Sequence, residues 1–345
     1  MRVLITGNMG YIGPLLYPEL RRSHPGAEIW GFDSAYFAHC LTGAAFLPER
    51  EIDRQIFGDM REFPAEILDG VDAVIHLGAI SNDPMGNRYE AVTAAINDAA
   101  SKAIAREAKA RGVKSFVFAS SCSMYGEAGA EAKSEQDALN PLTAYAQSKV
   151  AMERELERLA SADFKVTALR FATACGMSPR LRLDLVLNDF VACAMTTGKI
   201  TVLSDGSPWR PLIHVKDFAR ALIWGIERRE GGDFIAVNAG SDRWNYQIKD
   251  LALKAAALIP GAEVSINTEA PPDKRSYRVN FALFRELAPR HQPQVDIDEA
   301  VLGLIEGLRG MNFADGDFRQ SNWMRLKMLE SHIRNGALSS DLRWI

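Results

Sequence analysis

The chain has 345 residues, of which 47% are hydrophobic and 24% charged, with 40 Lys and Arg against 44 Asp and Glu. This balance excludes wholesale disorder, and a net charge of −4 gives no global attraction to nucleic acid or to an anionic membrane. No apolar run approaches the ~18–20 residues that span a bilayer, and the four scattered cysteines, Cys40, Cys122, Cys175 and Cys193, contain no CxxC pair, which fits a reduced cytoplasmic enzyme better than a disulfide scaffold or a zinc site.

The chain opens on the strand-like Arg2–Thr6, without the apolar h-region of a secretion signal. Directly after it comes Gly7-Asn-Met-Gly10-Tyr-Ile-Gly13. Strand, glycines and then a helical pattern form the context of a dinucleotide site. A side chain at the turn would hold a diphosphate away from the backbone N–H groups, and the helix presents its positive end to that phosphate. Met9, Gly10, Tyr11 and Ile12 are the turn residues expected against the cofactor, with Gly7 before them. The second strand, Glu28–Phe32, ends at Asp33, 20 residues beyond Gly13. A carboxylate there accepts from ribose hydroxyls and repels a 2′-phosphate, which favours NAD over NADP. A third strand, Gln55–Gly58, is followed by Asp59 and Met60, placed to reach the adenine.

Strands follow at Ala73–Leu77, Ser115–Ala119, Lys165–Arg170 and Phe234–Val237, several of them apolar on both faces as buried parallel strands are. Amphipathic helical patterns cover Tyr89–Arg111, Thr143–Leu159 and His214–Arg228. Residues 171–211 and 241–345 read as irregular, with short helices, and Trp323–Ile345 as a helical tail that serves packing or a dimer. The expected fold is α/β, a Rossmann-type doubly wound parallel sheet of about seven strands. Its NAD-binding domain is expected at 1–170 plus 212–240, and a smaller mixed substrate-binding region at 171–211 plus 241–345.

Two features carry chemistry. Tyr145-Ala-Gln-Ser-Lys149 puts a phenol and an ammonium at i and i+4, on one helix face. A nearby cation stabilises a phenolate and lowers its pKa from ~10 toward a usable range. The strand end Ser120-Ser121-Cys122-Ser123-Met-Tyr125-Gly126 brings hydroxyls to the C-terminal edge of the sheet, where ligands bind in such folds.

Taken together, the sequence resembles an extended short-chain dehydrogenase/reductase of the nucleotide-sugar epimerase/dehydratase family. The resemblance rests on Gly7/Gly10/Gly13, Asp33, His76-Leu-Gly-Ala79, Ser120–Gly126, Tyr145/Lys149 and Arg210-Pro-Leu-Ile-His214-Val-Lys-Asp217. It implies Tyr145 as the base, Lys149 as its partner and Ser121 as the catalytic hydroxyl. It implies Leu77, Gly78 and Ala79 along the nicotinamide half of the cofactor, and Asn97 holding the site together. On the substrate side it implies Arg210 and Arg275, in Asp273-Lys-Arg-Ser-Tyr277, on the diphosphate of a nucleotide sugar, with Asn188 as a further contact. Asp83, Ser121, Cys122 and Ser123 complete that side, Asp83 reading as a sugar contact, as a supplementary acid/base group or as a turn aspartate before Pro84. A homodimer paired through the 89–111 and 143–159 helices is also implied.

Two departures shape the expected reaction. The family's 4,6-dehydratases carry an Asp-Glu pair where this chain has Cys122-Ser123. Its 3,5-epimerases place a Cys two residues before the motif tyrosine, whereas Cys122 lies three before Tyr125, and a small buried thiol is the plainer reading. The expected function is therefore an NAD-dependent nucleotide-sugar epimerase acting by transient oxidation, usually at C4. The alternatives are a 4-ketoreductase or dehydrogenase, a dehydratase, and a non-catalytic NAD-binding sensor. No metal site is expected.

Overall fold

The computed structural model describes residues 1–127, 129, 131–270 and 275–345. In chain order the elements are β1 (Arg2–Thr6), α1 (Gly13–Ser23), β2 (Glu28–Asp33), β3 (Arg54–Phe57), β4 (Ala73–His76), α2 (Asp83–Arg88), α3 (Glu90–Thr93), α4 (Ser101–Ala110), β5 (Ser115–Ser121), α5 (Ala144–Leu159), β6 (Lys165–Phe171) and β7 (Thr173–Cys175). There follow α6 (Val186–Thr197), β8 (Lys199–Val202), β9 (Trp209–His214), α7 (Val215–Glu227), β10 (Phe234–Ala239), β11 (Asn245–Gln247), α8 (Ile248–Ala257), β12 (Glu263–Ile266), α9 (Ala282–Leu287), α10 (Ile297–Gly310) and α11 (Arg325–Arg334).

Seven strands form one parallel sheet in the order β10-β6-β5-β4-β1-β2-β3. The two-residue period of a strand divides its side chains between two cores. Val3, Ile5, Ala73, Ile75 and Val117 pack on the face covered by α1 and α7. Leu4, Val74, Phe116 and Phe118 pack on the opposite face, against α4 and α5. Parallel strands buried on both sides need apolar residues throughout, which is why these runs do not alternate in polarity. The strand order reverses between β1 and β4, and that reversal opens a crevice at the C-terminal edge. At this point the backbone of Gly7 (φ +70°) passes so close to β4 that a Cβ would stand 2.5 Å from Gly78. Gly13 is held equally tightly, since a Cβ there would come within 1.7 Å of the Asn8 carbonyl oxygen.

The 89–111 helix is interrupted. Between α3 and α4, residues Ala94–Ala100 form a wide π-type turn. The region expected to be irregular is substantially ordered. α6, α8 and α10 enclose a third apolar core that includes Leu187, Leu251 and Leu304. Small sheets β11-β9-β7 and β12-β8 flank it. The start of α10 carries a capping box: Asp296 accepts from Glu299 N–H at 2.8 Å, and Glu299 accepts from Asp296 N–H at 3.0 Å. That signal stands openly in the sequence. The β8–β12 pairing joins residues more than 60 positions apart and has no local signature. The tail is helical over α11 alone and then turns back, with a bridge between Leu338 and Trp344. Among the described residues no helix is long and apolar enough to cross a membrane.

Gly13→Ala is expected to lower unfolding stability by about 1–3 kcal/mol, because α1 must move off the glycine turn to admit a methyl group. Urea unfolding measures it, and an unchanged midpoint would show that α1 does not sit this close.

Candidate active site

A cleft of about 710 Å³ runs along the C-terminal edge of the sheet, under the C-terminal lobe. One half is built from the first three strands. Gly7, Gly10, Tyr11 and Ile12 line it. A Cβ at Gly10 would meet nothing within 4 Å but the Gly7 carbonyl oxygen, at 3.3 Å, so glycine here leaves room in the cleft rather than in the packing. α1 starts at Gly13 with no acidic residue in its first turn, which leaves its positive end available to an anion. Asp33 accepts from Met9 N–H at 2.9 Å and from Ala35 N–H at 2.7 Å while lining the cleft. Burial pushes its carboxyl up, against those two N–H groups. Met9 itself is buried and meets this half through the Asp33 bond. Asp59 lines the same end, gripped by the Arg61 guanidinium at 2.5 Å. Burial would raise its carboxyl, but the Arg61 bonds outweigh that and hold it below the usual range. Met60, Leu77, Gly78 and Ala79 continue the wall. A glycine cradle, a helix N-terminus and an acceptor carboxylate 20 residues on fit an adenine dinucleotide.

At the reacting end, Ser121 closes β5 and caps the 122–125 turn, its Oγ accepting from Ser123 N–H at 3.1 Å. Thr143 caps α5 and donates to Asp83 Oδ1 at 2.8 Å. The first turns of α5 then bring Tyr145 and Lys149 to the cleft beside Ser121. Lys149 is buried, donates from Nζ to the Ala119 carbonyl at 2.8 Å and lies 5.4 Å from the Tyr145 ring centroid. Burial drives its ammonium down to about 7, with Glu153 opposing. Burial pushes the Tyr145 phenol up to about 12, while the Ser121 hydroxyl and the Arg182 guanidinium pull it down and Asp83 raises it. The Arg182 guanidinium is thus a further cation acting on the phenol, beside the Lys149 ammonium that the i, i+4 spacing brings within 5.4 Å of its ring. Behind them Glu153 accepts from Ser120 Oγ at 2.5 Å and from Arg170 Nη2 at 2.8 Å, a buried ion pair that ties α5 to β5 and β6. Asn97, in the wide turn, brackets Ile80, accepting its N–H at 2.8 Å and donating to its carbonyl at 2.9 Å.

On the substrate side Asp83, Ser123, Arg210 and Arg275 line the cleft. Arg275 donates to Asp83 Oδ2 at 2.9 Å, and Arg210 lies 5.7 Å from the Tyr277 ring. Asp273 and Lys274 fall outside the described residues. Two expected contacts are corrected. Cys122 is fully buried beneath the turn, its thiol donating to the Arg170 carbonyl, and does not line the cleft. Burial raises that thiol well above its ordinary range. Asn188 also faces inward: its amide accepts from Gly176 N–H and donates to the Arg182 carbonyl and Tyr11 Oη. It braces the wall and does not line the cleft. The sequence reading missed Arg182 and Asp184, which pair at 2.9 Å, with Asn82 donating to Asp184 at 2.6 Å. Both line the cleft. Arg180-Leu-Arg182-Leu-Asp184, charge alternating with leucine, was the available signal in a segment taken as irregular.

Fold and cleft together define a dinucleotide-binding enzyme of the short-chain dehydrogenase/reductase class. Residues 3–240 match the NAD dependent epimerase/dehydratase family, and the chain belongs to that family, whose cofactor is NAD. It is similar to an uncharacterised UDP-glucose epimerase, YtcB, of Bacillus subtilis, 27% identical over 234 residues, 64% of this chain and 71% of that one. It is similar also to a dTDP-glucose 4,6-dehydratase of Streptomyces griseus, 24% identical over 310 residues, 88% of this chain and 92% of the relative. Among solved structures, MoeE5 in complex with UDP-glucuronic acid and NAD superposes with a TM-score of 0.77 at 26% identity, covering 90% of this chain and 99% of MoeE5.

The depressed Lys149 sets a pH window. Unfolded, its ammonium titrates near ~10.4, so between about 7 and about 10 the unfolded chain binds the extra proton and stability rises with pH. Urea unfolding of wild type and Lys149→Met should therefore diverge upward for wild type across that window, and a flat difference would refute the depressed value.

Proposed function

We propose that the chain is an NAD-dependent nucleotide-sugar epimerase that inverts one carbinol centre, C4 of the sugar, by transient oxidation. The observation that carries this over dehydration is the state of the carboxylates at the reacting end. Asp83 is held by Thr143 and Arg275, Asp184 by Arg182 and Asn82, and Glu153 by Ser120 and Arg170. The two positions after Ser121 carry a thiol and a hydroxyl. Elimination of water asks for a carboxyl pair free to give and take protons, and among the described residues none stands beside Tyr145 in that state.

NAD, when bound, supplies the reversible two-electron oxidation of the carbinol. Glycine cradle, Asp33 and Asp59 hold its adenosine diphosphate half, and Leu77–Ala79 with Lys149 border the rest. Tyr145 Oη takes the hydroxyl proton and returns it to the same oxygen when hydride comes back to the opposite face of the carbon. Ser121 Oγ donates to the oxygen as charge develops there. Arg182 favours the phenolate across the cleft. Lys149, fixed by the Ala119 carbonyl, keeps a positive charge or a donor near the phenol ring as its own proton comes and goes. Arg210 and Arg275 suit the diphosphate of the substrate, Arg275 keeping Asp83 on one of its five N–H donors. Gripping the substrate by its nucleotide leaves the sugar free to present either face. Two copies would pair through the outer faces of α4 and α5, which sedimentation equilibrium tests.

NMR of the purified protein with a panel of nucleotide sugars should show one centre inverted with no net reduced cofactor. Stoichiometric reduction or loss of water would overturn the epimerase reading. Tyr145→Phe should lower kcat by at least about 100-fold with NAD affinity unchanged. An activity that survives the substitution would remove Tyr145 from the proton-transfer role.

A further inference from the structure

Three buried arginines lie close together where the 180–184 segment meets α11: Arg180, Arg182 and Arg325, the last two lining the cleft. Two are balanced. Arg180 Nη2 meets Glu49 Oε2 at 2.9 Å, and Arg182 pairs with Asp184. Arg325, at the start of α11, is 1% exposed and lines the cleft, and it forms no ion pair among the described residues. Its Nη2 donates to the Arg180 carbonyl at 2.8 Å, and its Nη1 is buried with no partner. Its guanidinium lies 4.7 Å from the Phe37 ring. Burial drives it down to about 10, with the Cys40 thiol opposing and Arg182 adding to the fall. A desolvated, unneutralised cation with an idle donor is costly to a fold and is offset when an anion arrives.

Both of its links run to cofactor elements. Phe37 belongs to the loop that follows Asp33, with Ser34 and Tyr36 lining the cleft. Arg180 belongs to the segment laid on the glycine turn, where Ser178 Oγ donates to the Tyr11 carbonyl at 2.8 Å and Tyr11 Oη to the Gly176 carbonyl at 2.5 Å. Arg210 and Arg275 stand instead with Tyr277 and Asp83. We propose that Arg325 supplies the counter-charge for the diphosphate of the bound dinucleotide, so that the C-terminal segment completes a cofactor site begun by the first three strands. The inference rests on NAD as the cofactor. The segment is fastened for that purpose: His332 Nε2 donates to the Tyr36 carbonyl at 2.9 Å, Trp344 Nε1 to the Ser34 carbonyl at 2.5 Å, and Arg61 Nη1 to the Asp341 carbonyl at 2.7 Å. The Tyr36 hydroxyl donates to the Leu342 carbonyl. These bonds fix α11 and the turn after it against the loop that follows Asp33 and against Arg61 after β3.

Calorimetry of the full chain, freed of bound nucleotide, tests this with ADP-ribose, adenosine and UDP at low and high salt. In Arg325→Met, ADP-ribose should bind at least tenfold more weakly and with a shallower salt dependence, while adenosine and UDP stay within about twofold. Arg325→Lys should recover part of the loss and, with Arg325→Gln as its neutral counterpart, supplies the comparison if the Met variant does not fold. Equal loss for adenosine would make Arg325 a packing residue, selective loss of UDP would assign the charge to the substrate, and unchanged ADP-ribose affinity would remove it from binding. Each of these overturns the inference while NAD binding by wild type stands. A wild type that binds no ADP-ribose would overturn the cofactor assignment as well.

Discussion

The close approach of Gly7 to Gly78 is the constraint on which the site depends. Two neighbouring parallel strands end in turns that leave in opposite directions, and neither turn has a side chain between them. The resulting crevice has backbone for its floor. α1 can then begin at the floor with its N–H end exposed, and β4 can run on through Leu77–Ala79 as the wall. Each later feature of the cleft is positioned from these two strand ends: Asp33 by its bond from Met9, Ile80 by the Asn97 bracket, and Tyr11 by the segment that crosses above it.

The reacting end has a different anchor. Glu153 and Arg170 form a buried ion pair with Ser120 as a further donor. Such a pair adds little net stability compared with an apolar one, yet breaking it strands a charge in the core. Its geometric effect is larger. It fixes the rotation of α5 against β5 and β6, and hence where Tyr145 and Lys149 stand relative to Ser121. Burial then works against both groups, raising the phenol and lowering the ammonium. The site keeps two titratable groups whose pKa values are pushed apart, the phenol up to about 12 and the ammonium down to about 7, a common mark of proton-handling sites.

What could be read from the sequence was what short-range physics determines. The seven strands, the glycine turn, Asp33 and the Tyr145/Lys149 pair depend on period, turn geometry and i, i+4 spacing. Cys122 and Asn188 were misplaced because the direction a residue faces at a strand end or helix start is settled by distant partners, Arg170 for one and Gly176 for the other. Arg325 went unseen for the same reason, whereas Arg182 had the charge–leucine alternation of 180–184 to mark it. Nothing local sets Arg325 apart, and α11 meets the loop after Asp33 across nearly 300 residues of chain. The C-terminal lobe was underread at α10, whose Asp296–Glu299 box was legible, and at β8–β12, whose pairing was not.

The widened turn at 94–100 solves a problem of phase. An α-helix advances ~100° per residue, so the face it shows at one end dictates the face it shows at the other. Asn97 must point its amide at Ile80, while Ile104, Ala105 and Ala108 must face the sheet about two to three turns later. A uniform helix would turn Asn97 to within about 20° of Ile104 and Ala108, onto the seam itself. The extra residue in the π turn resets that register, so polar bracket and apolar seam are each satisfied. The segment therefore behaves as a gear tooth between the cleft and the sheet: losing one residue there would rotate everything downstream by about 100° and trade the seam for the bracket.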